Sequence, residues 1–150
     1  MSTVSTSNSD AWGKTTNGKP VVGATCECSL IITAEVTRKF AEISGDDNPL
    51  HFDEAAAKRS IFGELIGHGA MMIGVVNGAM VKELPGPGAV MMHSDLKFSN
   101  PMRVGEKITG RVEVLEVRDD KPICKVRVTV TRSDGKVCMG GTILTYVSPM

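Results

Sequence analysis

The side chains best suited to acid–base work near neutral pH are His51 and His68, with Asp46 just upstream of His51 in the stretch GDDNPLHFDE. Asn48 and Pro49 lie between Asp46 and His51, and proline disfavours helix at the residue before it, so the chain must bend here. A carboxylate and an imidazole on one bend can address one cavity and move protons there. The alternative is a turn in which Asp46, Asp47 and Asn48 bond to nearby backbone and His51 satisfies its ring against a carbonyl. Spacing alone favours that turn-making account. His68 is followed at once by Gly69, at the start of a long apolar run. The first N–H groups of a helix have no intrahelical partner and sit at the positive end of its dipole. Gly69 N–H is therefore a candidate donor to a developing oxyanion, with no Cβ to obstruct approach. Simple packing at Gly63, Gly67 and Gly69 explains the same glycines. A calcium loop fails for want of alternating acids, and PGPG at Pro85 to Gly88 lacks the Lys and Ser/Thr of a phosphate loop. No metal is expected, because nothing in the spacing supports a site from Asp46, His51 and His68. His93 falls in a strand pattern, away from this group.

The elements that must position these residues follow from periodicity. Residues 23–36 are β-branched in their second half and read as a first strand. Thr37 then caps a short helix, TRKFAEIS, which places Phe40 and Ile43 on one face and stops at Gly45. DEAAAKRS reads as a second short helix, with Asp53 and Glu54 at its positive end and Lys58 and Arg59 at its negative end. HGAMMIGVVNGAMVKEL is apolar almost all the way round, so it must be wrapped. Within it Met71, Met72, Val75 and Val76 suit either core or a ligand pocket. Four β-rich runs follow, VMMHSDLKF, KITGRVEVLEVRD, PICKVRVTVTR and KVCMGGTILTYV, with turn signals at DDKP and SDGK. They are expected as antiparallel neighbours in a meander. The fold class is α+β, an antiparallel sheet curled around one long helix.

Composition limits the partners. The chain has 150 residues, with 17 Lys plus Arg against 17 Asp plus Glu, a balance that argues against wholesale phosphate neutralisation and so against a nucleic-acid binder. Length and a hydrophobic share of 41% fit one domain. Leu65 to Val81 is uncharged but glycine-broken and short for a span, so no membrane partner is expected. Cys26, Cys28, Cys124 and Cys138 lack zinc spacing and are expected as free thiols. No basic-plus-apolar leader is evident, which makes cytoplasm or an organelle matrix the expected location. Residues 1–21 are rich in Ser, Thr, Asn and Gly and read as a flexible tail before a domain at 22–150, with Trp12 the residue least suited to that description.

SGDDNPLHFD followed by GHGAMM resembles the MaoC-like (R)-specific enoyl-CoA hydratase family. Its G-D-x-N-P-x-H stretch matches Gly45, Asp46, Asn48, Pro49 and His51, and its later H-G pair matches His68 and Gly69. The likeness continues through LPGPGAV, FSNPMRVGE and EVLEVRDDKPICKVRV, spanning about Val22 to Val147. The resemblance implies a hot dog fold and reversible addition of water to a trans-2-enoyl-CoA, giving an (R)-3-hydroxyacyl-CoA without a cofactor. It casts Asp46 and His51 as the catalytic pair holding one water, Gly69 N–H as donor to the thioester oxygen, and Asn48 as an orienting residue. His68 is expected to fix the start of the helix. Asp47 takes no role. The resemblance also implies a homodimer and an acyl-CoA substrate, for whose phosphates Arg59, Lys97 and Arg103 are candidates. The competing readings are a 3-hydroxyacyl dehydratase acting on acyl carrier protein, a thioesterase, and a non-catalytic acyl-CoA-binding module.

Overall fold

The computed structural model describes residues 10–150. Strand β1 (Thr25–Ile31) leads into helix α1 (Ala34–Ser44), a single 3-10 turn (Pro49–His51) and helix α2 (Glu54–Arg59). The long helix α3 (Gly69–Lys82) follows, then β2 (Ala89–Phe98), β3 (Lys107–Val117), β4 (Ile123–Thr131) and β5 (Val137–Val147). The five strands form one antiparallel sheet in the order β1-β3-β4-β5-β2, packed around α3.

Alternation along β3 and β4 turns Ile108, Val112, Val114, Cys124, Val126, Val128 and Val130 inward, where all are buried against α3. Helix α3 contributes Met71, Met72, Val75, Val76, Ala79 and Met80 to the same core. Gly110 lets the helix come close: a Cβ there would lie 3.0 Å from Val75 Cγ1. The expected α+β wrap is therefore present, and β3-β4-β5 is a meander. β2, expected beside β3, instead pairs with β5 at the far edge. The connection 99–106 carries the chain back across the sheet, which a two-strand hairpin reading cannot anticipate.

Two further expectations need correction. Helix α1 begins at Ala34, capped by Thr33, whose Oγ1 accepts from Val36 N–H at 3.0 Å; Thr37 lies inside and bonds back to the Thr33 carbonyl. The β-branched run had extended the strand too far, whereas Gly45 does end the helix, at φ +78°. Residues 10–20 are not a tail. Trp12 is fully buried, its Nε1–H donating to Arg118 O at 2.7 Å, and Asn17 and Lys19 bond to Glu83 O and Asp119. One indole with its N–H satisfied anchors a segment otherwise poor in apolar groups. Residues 1–9 of the expected tail lie outside the described residues. All four cysteines are free, three of them buried, and burial pushes the Cys26 and Cys124 thiols up to about 11. Among the described residues no helix is long and apolar enough to cross a membrane.

Candidate active site

Four local devices shape the bend between α1 and α2. Gly45 reverses the chain, and Asp46 Oδ1 accepts from Asn48 N–H at 3.2 Å. Asn48 Oδ1 in turn accepts from Leu50 N–H at 3.1 Å, capping the 3-10 turn that carries His51. Asp53 caps α2 by accepting from Ala55 and Ala56. The turn-making account of Asp46 thus holds, and it uses only one of the two carboxylate oxygens. Oδ1 builds the turn, and Oδ2 faces His51 Nε2 at 3.8 Å.

His51 is buried, and its Nδ1 lies 2.7 Å from Ile66 O. A carbonyl oxygen only accepts, so Nδ1 carries the proton and Nε2 presents its lone pair toward Asp46 in the neutral ring. The separation of 3.8 Å is too long for a direct hydrogen bond but lets both groups reach one small molecule between them. Asp46 is half exposed, which gives that molecule access from solvent.

His68 holds this arrangement from below. It is fully buried, its Nε2–H donates to the Asp46 carbonyl at 2.9 Å, and its ring lies on His51 with centroids 3.8 Å apart and planes 32° apart. Phe40 of α1 also packs on it, with ring centroids 4.8 Å apart. Asp46, His51 and His68 thus bring three potential ligand atoms within 4.8 Å of one another. One nitrogen of each ring, His51 Nδ1 and His68 Nε2, is already committed to a main-chain carbonyl.

Gly69 is the first residue of α3, so its N–H has no intrahelical acceptor. It lines a cavity of about 250 Å³ with Phe62, Ile66, Met72 and Phe98. Packing does not require glycine here: a Cβ would sit at an ordinary 3.5 Å from Phe98. At Gly67 packing does require it, since a Cβ would lie 2.9 Å from Met102 Cε and 3.2 Å from Ile32 Cγ2. Of the two glycines beside His68, packing thus requires only Gly67. A larger cavity, about 470 Å³ between β1, α1 and α3, is lined by Phe40 and Met71 but not by Asp46, His51 or Gly69.

The structure places the other candidates apart. His93 lies on β2, and Asp47 is exposed beside the bend. Arg103 is not free to meet a phosphate: its Nε–H and Nη2–H both donate to Glu106 at 3.1 Å. That carboxylate also accepts from Ser133 N–H and Oγ–H, and the Arg103 guanidinium beside it holds it down at about 2. Sequence reasoning missed this cluster around the buried Glu106, because Ser133 comes from a segment distant from Arg103 and Glu106. The main chain of Arg103 also bridges to Ile66, whose carbonyl accepts from His51.

A family model described as the MaoC like domain matches residues 16–136. Among curated proteins, the (R)-specific enoyl-CoA hydratase of Aeromonas caviae is 33% identical over 120 residues, covering 80% of this chain and 90% of that protein. The 3-hydroxybutyryl-CoA dehydratase of Methylorubrum extorquens is 36% identical over 105 residues, covering 70% of this chain and 67% of that protein. Among solved structures, the (R)-hydratase of A. caviae superposes with a TM-score of 0.82 at 31% identity, covering 86% of this chain and 98% of that one.

Proposed function

The chain belongs to the MaoC-like dehydratase family, and from that premise we propose that it is an (R)-specific enoyl-CoA hydratase, a hydro-lyase that adds water to trans-2-enoyl-CoA and releases (R)-3-hydroxyacyl-CoA reversibly, with no cofactor. The observation that carries this reading is the pair of uncommitted proton acceptors, Asp46 Oδ2 and His51 Nε2, facing each other at 3.8 Å. One water donates a hydrogen bond to each. His51 Nε2 takes a proton as the water oxygen bonds to C3 of the enoyl group, and the Asp46 carboxylate stabilises the imidazolium that forms. The same pair returns a proton to C2, so it ends in its starting protonation state. Gly69 N–H donates to the thioester oxygen, where enolate-like charge collects during the addition. Asn48 orients the pair through the turn it caps.

Acyl-CoA is the substrate, with Arg59 and Lys97 the remaining candidates for its phosphates. The working unit is a homodimer. Strand β2 is an outer edge of the sheet and exposes Val90, Met91 and Met92, an apolar strand edge suited to pairing with a second copy. Sedimentation should give the mass of two chains, and Met92→Lys should shift it toward one. For the activity, purified protein is mixed with crotonyl-CoA while the conjugated thioester absorbance is followed, and the product is resolved on a chiral phase. Loss of absorbance with (R)-3-hydroxybutyryl-CoA is the expected result. Release of free thiol from saturated acyl-CoA without hydration would replace this reading with a thioesterase, and turnover of crotonyl-acyl carrier protein alone would transfer it to a carrier-protein dehydratase.

A further inference from the structure

His68 contacts both members of the pair, yet space-filling does not account for it. Its ring is fully buried, and its Nδ1 meets no hydrogen-bond partner among the described residues. An apolar side chain in the same space would avoid the unsatisfied Nδ1. The Nε2–H is the atom that is used. It donates to the main-chain carbonyl of Asp46, the residue whose carboxylate faces His51, while the ring packs on His51 itself at a 32° tilt. His68 is also the N-cap residue of α3 but makes no side-chain cap, so it is not spent on holding the helix start. It does stand directly before Gly69.

Resting on the hydratase reading above, the geometry points to His68 as a positioning residue that sets the gap between Asp46 and His51, and ties that gap to the Gly69 N–H through the peptide they share. The Nε2–H fixes Asp46 along the bend, and the ring face fixes the plane of His51. A side chain that moves neither proton still governs turnover, because displacing a reacting group by about 1 Å can cost about 100-fold.

Two substitutions separate the donor from the ring. His68→Gln keeps an N–H near the Nε2 position and loses the ring. His68→Phe keeps a flat ring and loses the donor; if its bulk prevents folding, His68→Asn, whose amide is too short for the Asp46 carbonyl, takes its place. His68→Phe is expected to lower kcat on crotonyl-CoA about 100-fold with KM nearly unchanged, and His68→Gln to recover to within about tenfold of the parent. In an Asp46→Asn background the same His68→Phe change should cost less than about threefold, because a residue acting through Asp46 has nothing left to position. A cost as large there as in the parent protein assigns His68 to general structure and overturns the inference, as does equal loss in the Gln and Phe variants. A readout independent of activity keeps this result distinct from the hydratase reading. Asp46 and Asn48 N–H bond to Ser44 Oγ and Asp46 Oδ1, so their amide exchange should quicken in His68→Phe and return toward the parent rate in His68→Gln. If exchange quickens while the parent hydrates no enoyl thioester, the positioning stands and the proposed reaction falls. Unchanged exchange in a folded His68→Phe protein overturns the positioning whatever the activity.

Discussion

Two polar clusters sit on either side of the Ile66–Gly67 segment, and they differ in what they leave unspent. In the Glu106 cluster both carboxylate oxygens are satisfied, Oε2 by Arg103 and Oε1 by Arg103 and Ser133. Beyond the bond its Nδ1–H gives to Ile66 O, the Asp46–His51 cluster keeps Oδ2 and Nε2 unsatisfied by each other, and Gly69 adds a helix-start N–H. Satisfied polar groups in a folded interior lock geometry, and unsatisfied ones at a cavity are available for chemistry. The contrast separates the two clusters even though both contain acids and bases at similar distances.

The largest effects should come from removing an unspent atom. Asp46→Asn and His51→Ala are each expected to lower hydration of crotonyl-CoA by about 10² to 10⁴-fold while the melting temperature stays close to that of the parent. A comparable loss of stability in either variant would erase the distinction between the clusters. Gly69→Pro deletes the helix-start N–H. Proline is tolerated at the first helical position, and His68 already holds the extended conformation it requires, with φ −66° and ψ 122°. The variant should fold and lose about 100 to 1000-fold in turnover. Gly67→Ala is the counterpart: its methyl meets buried Met102 and Ile32, so it should lower stability by about 1–3 kcal/mol. Circular dichroism melts beside initial rates read both pairs.

Those residues also mark which parts of the site are local in the sequence. Asp46, Asn48, Pro49, His51, His68 and Gly69 belong to local patterns whose spacing survives in one dimension, and the structure brings them to one bend and one helix start. The wrapped helix and the β3-β4-β5 meander were legible for the same reason, since periodicity and turn residues are local. What was lost is long-range. The place of β2 beyond β5, the Arg103–Glu106–Ser133 cluster and the Trp12 bond to Arg118 O each join distant segments. No spacing rule records a partner that is a main-chain carbonyl. The boundary at Thr33 was missed differently, because β-branched residues at a helix start carry the signature of a strand.

The spent cluster should show itself in acid. Glu106 is held at about 2 against an ordinary 4.5, first by its Arg103 hydrogen bond. A carboxylate depressed in the folded state contributes stability that is full above its ordinary value and lost as pH falls through its folded value. The melting temperature of the parent should therefore drop between pH 4.5 and about 2. Glu106→Gln should start about 2 kcal/mol less stable at neutral pH and lose less across that window. Turnover at neutral pH should change little while the variant is folded. An acid limb identical in the two proteins would remove Glu106 from the stability account.

The smallest effect is the sharpest control, because Asp47 is chemically identical to Asp46 and adjacent to it. Its N–H donates to Gly45 O at 3.2 Å, and its exposed carboxylate enters no ion pair or hydrogen bond among the described residues. Asp46 differs in having one oxygen committed to the turn and the other turned on His51. Asp47→Asn removes the same charge one residue away and leaves the backbone pattern intact, so it tests whether position or mere negative potential in the bend matters. A through-space contribution from a solvated carboxylate is screened over about 10 Å at 0.1 M salt. Turnover should therefore stay within about twofold of the parent, with the difference shrinking further as salt is raised. Loss in Asp47→Asn as deep as in Asp46→Asn would mean that the bend works by its summed charge. The unspent Oδ2 atom would then no longer be what distinguishes this cluster from the one at Glu106.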